Sequence, residues 1–161
     1  MRIKEESLGK DHPEVAIVYN NIGIVYSGQG NYDKAIQYYQ KATDIWKKKY
    51  GEEHPYIAAS YSNMGHAYSD LGNYEKALEY LNQSLSLLEK NHDGGHPNAA
   101  KVLAAIGKVY YNQGNYATAL EYYRNALEIR KNKLGDEHPD TIKNQERVTE
   151  IENKLKEKGD E

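Results

Sequence analysis

Residues 54–74 read HPYIAASYSNMGHAYSDLGNY, and the same arrangement returns 42 residues to either side. The preceding copy, residues 12–32, reads HPEVAIVYNNIGIVYSGQGNY, and the following copy, residues 96–116, reads HPNAAKVLAAIGKVYYNQGNY. A fourth His-Pro pair stands at 138–139, so these pairs use every proline in the chain. Self-similarity at a fixed period of roughly 20 to 50 residues is the signature of a repeat architecture. The sequence therefore predicts a tandem array.

The conserved markers of each copy divide it into two helices. Proline is favoured at the first position of a helix, because it has no N–H group to leave unsatisfied. We therefore expect a first helix, helix A, to begin at the proline of each copy: Pro13, Pro55 and Pro97. The Gly-Asn-Tyr triplet, residues 72–74 in the middle copy, should end helix A, since glycine and asparagine tolerate a left-handed turn. A second helix, helix B, should follow at once, over about 32–49 in the first copy.

Apolar residues recur at helical spacing in both helices. In helix A we expect them on one face at Tyr19, Ile22, Val25 and Tyr26, and again at Tyr61, Met64, Ala67 and Tyr68. In helix B the corresponding face is Ala35, Tyr39, Ala42 and Ile45. Glycine in mid-helix costs about 1 kcal/mol relative to alanine, yet it recurs at 23, 65 and 107. Its return predicts a close crossing of helices A and B, with Gly23 beside Ala35.

The period divides the chain into three full repeats with two flanking pieces. Residues 1–7 align with 127–133, so we expect them to be the last turns of an earlier helix B within a longer parent protein. The polar stretch at the other end should be a linker and a capping helix that covers the last repeat. The predicted division is 1–7, remnant; 8–49, repeat 1; 50–91, repeat 2; 92–133, repeat 3; and 134–161, linker and cap.

Composition excludes several classes of protein. The charged fraction is 28% and the net charge is -3, so no excess of basic residues indicates a nucleic-acid partner. We find no apolar stretch long enough for a bilayer and no signal-peptide pattern, and we expect a cytoplasmic protein without membrane contact. The chain has sixteen tyrosines and no phenylalanine. In a thin, two-layer array a tyrosine ring can lie in the core while its hydroxyl reaches the surface.

Seven positions of the first copy have the spacing and chemistry of the tetratricopeptide signature of small and aromatic helix contacts. They are Tyr19, Ile22, Gly23, Tyr26, Ala35, Tyr39 and Ala42. The usual repeat has 34 residues, and the longer form with a Leu-Gly-x-x-His-Pro linker, as at 8–13, resembles the repeats of kinesin light chains. The resemblance covers nearly the whole chain. It implies an all-α fold, a right-handed superhelical solenoid of antiparallel helix pairs.

The resemblance also implies that helix A lines a concave groove in which a partner protein or peptide lies. The matching positions are Ile17, Asn20, Asn21, Ile24, Asn63, His66, Lys101, Lys108, Tyr111 and Asn112. Asn21 and Asn63 stand where the family's clamp asparagines bind an extended peptide, and Lys101 falls on a basic clamp position. Ile17 and Ala105 replace basic clamp residues, so strict capture of a terminal carboxylate is not expected. We hypothesise a mildly basic groove for an acidic segment; the alternative is a merely solvated face.

The sequence gives little support for a metal site, a catalytic site or a cofactor site. Histidines one repeat apart are separated by a helical hairpin, and His92 and His96 lie in a glycine loop without further ligands, so we expect no metal site. No nucleophile has a base partner and no glycine loop would hold a phosphate, so we expect neither an enzyme nor a cofactor. A structural alternative remains: the array self-associates through its uncapped N-terminal end, or packs on other domains of a longer parent protein.

Overall fold

The computed structural model describes residues 9–91 and 97–159, and these residues form helices and short connections without a β-strand. The helices are α1, Pro13–Gly28; α2, Tyr32–Tyr50; α3, Pro55–Asp70; α4, Tyr74–Asn91; α5, Pro97–Asn112; α6, Tyr116–Leu134; and α7, Pro139–Gly159. Every odd-numbered helix begins at the proline of a His-Pro pair, as predicted. The all-α fold class of antiparallel helix pairs is therefore confirmed.

The chain forms two compact units, Met1–Leu87 and Leu88–Glu161. In the first unit α2 packs against α1 and α3, and its core joins Val15 and Ala16 of α1 to Trp46 of α2 and Ile57 of α3. In the second unit α6 packs against α5 and α7. The division into repeats stays a prediction, and the predicted remnant at 1–7 lies outside the described residues.

The Gly-Asn-Tyr triplet reverses the chain through its glycine. Gly30, Gly72 and Gly114 have φ of 75–77°, the left-handed region that favours glycine. The asparagine is not left-handed, contrary to the role that the sequence suggested for it. Once glycine has turned the chain, the next residue already starts helix B, and its side chain caps that helix. The Oδ1 atom accepts from a backbone N–H in each triplet: Asn31 from Lys34, Asn73 from Lys76 and Asn115 from Thr118.

The recurring mid-helix glycine lies at a close helix crossing. A Cβ atom on Gly65 would lie 2.6 Å from Cγ of Leu81 and 3.2 Å from the carbonyl oxygen of Ala77. A Cβ atom on Gly23 would lie 2.5 Å from the Tyr39 ring. No side chain fits into either space, so glycine permits the approach that the sequence predicted.

The predicted apolar face of helix A is buried in α3 but only partly buried in α1. Met64 and Ala67 of α3 are fully buried. Val25, which the sequence placed on the same face of α1, is instead 59% exposed. In α3 the same face packs against Ala35 and Tyr39 of α2, the helix that precedes it.

Tyrosine pairs stack between helices A and B at the same place in each repeat. The ring centroids lie 5.5 Å apart and the planes differ by 7–16° in three pairs: Tyr26 with Tyr38, Tyr68 with Tyr80, and Tyr110 with Tyr122. All six rings are partly buried, so the hydroxyl end of each can stay near water. These three pairs contain six of the sixteen tyrosines.

Candidate functional site

Histidine side chains set the start of the helices that carry the predicted site. In the three His-Pro pairs whose histidine the structure describes, Nδ1 of the histidine accepts a hydrogen bond from the backbone N–H two residues later, at 3.2–3.3 Å. The pairs are His12 with Glu14, His54 with Tyr56, and His138 with Asp140. The histidine is therefore the N-cap and the proline is the first helical residue. Sequence reasoning missed this cap, because histidine is not among the residues usually preferred there.

In the first unit, two predicted site residues on neighbouring helices form a hydrogen bond. Nδ2 of Asn63 on α3 donates to Oδ1 of Asn20 on α1 at 3.3 Å. Ile17 and Ile24, one turn to either side of Asn20 on α1, are 41% and 50% exposed. The structure thus brings a polar amide pair together between two exposed apolar side chains.

Asn21, the other asparagine that the resemblance places at a clamp position, stands next to Asn20 in the sequence but on a different side of α1. Asn21 is exposed and borders an apolar depression with Val18, Ile22 and Val25. The bond that Asn63 makes goes to Asn20 instead, because one residue along a helix turns the side chain by about 100°. His66 is exposed, and its Nδ1 lies 2.8 Å from the carbonyl oxygen of Ser62. With Nδ1 donating to that carbonyl, Nε2 is an acceptor that faces outward from the helix backbone.

In the second unit, α5 presents Lys101, Lys108 and Asn112 as exposed residues. Seven residues separate the two lysines, which places them about 10 Å apart along the helix axis and near one side of it. Ala105, between them in the sequence, is buried. Alanine at this clamp position supplies no basic group. Because its side chain is buried, it also cannot contact a partner.

Tyr111 is already engaged by α7. Its hydroxyl donates to Oε1 of Glu150 at 2.7 Å, and Oε2 of Glu150 accepts from Arg147 at 2.6 Å. The cations of Lys154 and Arg147 lie 5.1 Å and 5.3 Å from the Tyr111 ring centroid. A hydrogen bond to the Tyr111 hydroxyl is the main cause that raises the pKa of Lys154. A partner that contacts Tyr111 must therefore meet or displace these α7 side chains.

Two basic residues of α7 were not recognised from the sequence as candidate site residues. Lys143 and Arg147 stand one 42-residue period beyond Lys101 and Ala105, and Lys143 is exposed. The signal was present, because the repeat register continues past Pro139. It was missed because the polarity of this stretch was interpreted only as that of a cap.

The family model described as tetratricopeptide repeat matches residues 1–48, 14–90, 56–132 and 98–151 in overlapping segments. The chain is a tetratricopeptide repeat protein. The matches together cover most of its length, and the helix pairs and glycine crossings described above account for them. Among curated proteins, no sequence matches this tetratricopeptide chain.

Solved structures of kinesin light chain-like repeat proteins are similar to this tetratricopeptide array. BtubC (BKLC) from P. vanneervenii superimposes with a TM-score of 0.78 at 23% identity, over 87% of this chain and 56% of that one. A putative kinesin light chain with nearly identical repeats from Podospora anserina gives 0.76 at 23% identity, over 87% and 66%. The chain thus spans less than two thirds of either protein. The kinesin light chain-like fold inferred from the sequence is confirmed.

A third neighbour carries a peptide. The first repeat domain of Spaghetti (RPAP3), bound to the HSP90 peptide SRMEEVD, superimposes with a TM-score of 0.64 at 22% identity, over 89% of this chain and 95% of that one. At this level of identity the likeness shows the fold alone.

Two further observations concern other kinds of site. In the ranges 9–91 and 97–159, no three His, Asp or Glu side chains converge as metal ligands would. His92 and His96, which the sequence analysis weighed, lie outside those ranges. No helix in the described part of the chain is long and apolar enough to cross a membrane.

Proposed function

We propose that this array is a protein-interaction scaffold that binds an extended, acidic segment of a partner protein on exposed helix-A residues. The observation that carries the proposal is the pair of exposed lysines on α5, Lys101 and Lys108. Acidic side chains that share one face of an extended peptide stand two or four residues apart, about 7 or about 13 Å, and the flexible lysine side chains, about 10 Å apart along the helix, can reach either spacing. Asn112 adds an amide donor one turn beyond Lys108.

The first unit carries its own set of helix-A residues, with a different chemistry. The Asn20 and Asn63 amides keep donor and acceptor capacity beyond the bond between them, so they can pair with a peptide backbone. Ile17 and Ile24 provide apolar contact to either side. His66 adds an acceptor, and Asn21 stands at the edge of this set. Exposed apolar residues beside polar groups of this kind are typical of interaction surfaces.

The peptide-bound neighbour supports an acidic ligand. The peptide held by the Spaghetti domain, SRMEEVD, has three acidic residues among its last four positions. The exposed lysines give this chain a means of binding a similar charge pattern, although the missing clamp base at Ala105 argues against a strict requirement for a terminal carboxylate.

The proposal is tested by titrating the full chain into fluorescent acidic heptapeptides, free or amidated at the C-terminus, and measuring anisotropy. Lys101→Glu and Lys108→Glu should each weaken binding at least about tenfold, since a favourable charge pair becomes a repulsive one. Asn63→Ala should weaken it less. The matched control is Lys133→Glu, which reverses an exposed charge on α6. Undiminished binding by Lys101→Glu, or an equal loss with Lys133→Glu, would show that this surface is not the site.

A further inference from the structure

Helix α7 repeats the register of the α5 residues that carry the proposed function. The α5 positions are 101, 105, 108 and 112, and one 42-residue period later stand Lys143, Arg147, Glu150 and Lys154. Residues three, four and seven apart lie on one side of a helix. In the register of the proposed site, α7 therefore carries three cations and a single carboxylate, that of Glu150.

The Glu150 carboxylate joins α7 to α5. Its Oε1 atom accepts a hydrogen bond from the hydroxyl of Tyr111 on α5 at 2.7 Å, and its Oε2 atom accepts one from Arg147 at 2.6 Å. Tyr111 stands three residues after Lys108, so the two are neighbours on the surface of α5. Glu150 therefore occupies donors beside the proposed acidic-segment surface, and a partner's carboxylate would use donors of the same kind.

The two cations beside Glu150 are held against aromatic rings. The Arg147 guanidinium lies 5.3 Å from the centroid of the Tyr111 ring. The Lys154 cation lies 5.1 Å from the same centroid and 5.5 Å from that of Tyr116. A ring holds a cation in place without neutralising its charge. Two positive charges and one negative charge thus leave the cluster with a net positive charge that attracts anions.

The ion pair that Glu150 makes is open to solvent. The side chains of Arg147 and Glu150 are 41% and 43% exposed, and an exposed pair contributes little stability, because water solvates both partners when it opens. Glu152, two residues later, pairs instead with Arg124 of α6 at 2.7 Å. Two residues turn a helix by about 200°, so the two glutamates of α7 serve opposite sides of it.

We infer that Glu150 is an internal competitor of the acidic partner segment. In the unbound array its carboxylate occupies a subsite formed by Tyr111, Arg147 and Lys154, and an acidic side chain of the segment displaces it. This inference rests on the proposed function, since the segment is the one that the α5 lysines would bind. Because one carboxylate replaces another, the exchange alone gains little. Glu150 therefore lowers the affinity for acidic segments and favours those that also contact the α5 lysines.

The test titrates the Glu150→Gln chain into the fluorescent acidic heptapeptide that is amidated at its C-terminus, and anisotropy is measured. Glutamine keeps the size and an acceptor oxygen but has no charge, so Arg147 can pair with the peptide. Binding should be at least about threefold tighter than that of the parent, the effect of one exposed charge pair. Arg147→Gln should weaken binding, and the double variant should lose most of the gain. The matched control, Glu152→Gln, also removes a carboxylate that pairs with an arginine, and it should bind as the parent does.

NMR of the full ¹⁵N-labelled parent chain tests the same exchange without a substitution. When the peptide is added, the side-chain Nε–H signal of Arg147 should shift, while that of Arg124 stays in place. Thermal melts establish that the variants are folded. Unchanged or weaker binding by Glu150→Gln, an equal gain with Glu152→Gln, or an unshifted Arg147 signal at saturating peptide would overturn the inference.

Two results separate the internal competitor from the proposed function. Weaker binding by Lys101→Glu, together with unchanged binding by Glu150→Gln, would refute the competitor alone. A heptapeptide that binds neither the parent nor the Glu150→Gln chain would refute both.

Discussion

At the scale of single residues, His54 of the second His-Pro pair has two roles. Nδ1 of His54 caps α3, while its ring stacks on Tyr50 at 4.4 Å between centroids and lies 4.9 Å from Tyr56. The pair thus supplies an N-cap acceptor and a first helical residue without an N–H in two consecutive positions.

We expect His54→Ala to lower the free energy of unfolding by about 1 kcal/mol, as the loss of an N-cap does. His54→Ser also removes the ring stacking but retains a capping oxygen, so it should be the more stable of the two. Urea denaturation followed by circular dichroism measures the difference. His66→Ala, an exposed mid-helix substitution, is the control and should be close to the parent. Equal stability of the alanine and serine variants would contradict a capping role.

At the scale of helices, the close approach of A to B depends on one glycine in each pair. Alanine is the better helix former by about 1 kcal/mol. Glycine at this position is therefore explained by the close approach of the neighbouring helix that it permits. In the second pair that neighbour is both the Leu81 side chain and the backbone of α4 at Ala77. To admit a Cβ atom the Leu81 side chain, 2.6 Å away, would have to shift and the Ala77 carbonyl oxygen, 3.2 Å away, would have to give by a few tenths of an ångström, so a side chain at position 65 strains the crossing.

Gly65→Ala should therefore destabilise the fold by about 1 to 3 kcal/mol, the usual range for overpacking, despite the gain in helix propensity. Gly28→Ala is the matched control, because a Cβ atom there would have nothing within 4 Å. It should be neutral or slightly stabilising. Thermal melts of the two variants make the comparison, and a Gly65→Ala protein as stable as the parent would show that the helices can separate without cost.

At the scale of the whole molecule, the reliance on tyrosine links stability to alkaline pH. Burial raises the pKa of Tyr39, Tyr80, Tyr122 and Tyr123 above the ordinary value of 10.0. The unfolded chain then releases protons at lower pH than the folded one, so the free energy of unfolding falls as pH rises beyond that value. Lys47 acts in the same direction, since its pKa is raised mainly by its hydrogen bond to Glu52.

We expect tyrosine ionisation to leave the stability of the array unchanged below the ordinary tyrosine pKa and to lower it as pH rises through the raised values. Urea unfolding between about pH 8 and about pH 11 measures the slope. Tyr123→Phe should make the slope shallower, because one buried ionisable hydroxyl is gone. Tyr56→Phe removes an exposed hydroxyl and controls for the substitution itself. A slope that Tyr123→Phe leaves unaltered would exclude burial of that ring as a source of the pH dependence.

The sequence by itself determined the helices and their crossings. Pro55, Gly72 and Gly65 act through their own backbone geometry or through the absence of a side chain. Their effects can therefore be predicted from a few neighbouring residues of the sequence. Their return at a period of 42 residues was enough to predict the family and the fold class. The resemblance to tetratricopeptide repeats pointed to Lys101 and Lys108 as surface residues of helix A, and both are exposed on α5.

Only the tertiary structure decided what each face meets. Val25 and Ala67 occupy the same register, yet one is exposed and the other buried, because burial depends on a covering helix rather than on the residue. Tyr111 is held by Glu150 of a helix that follows much later in the chain. Asn63 bonds to Asn20 and not to Asn21, since a rotation of about 100° per residue decides which side chain reaches the next helix.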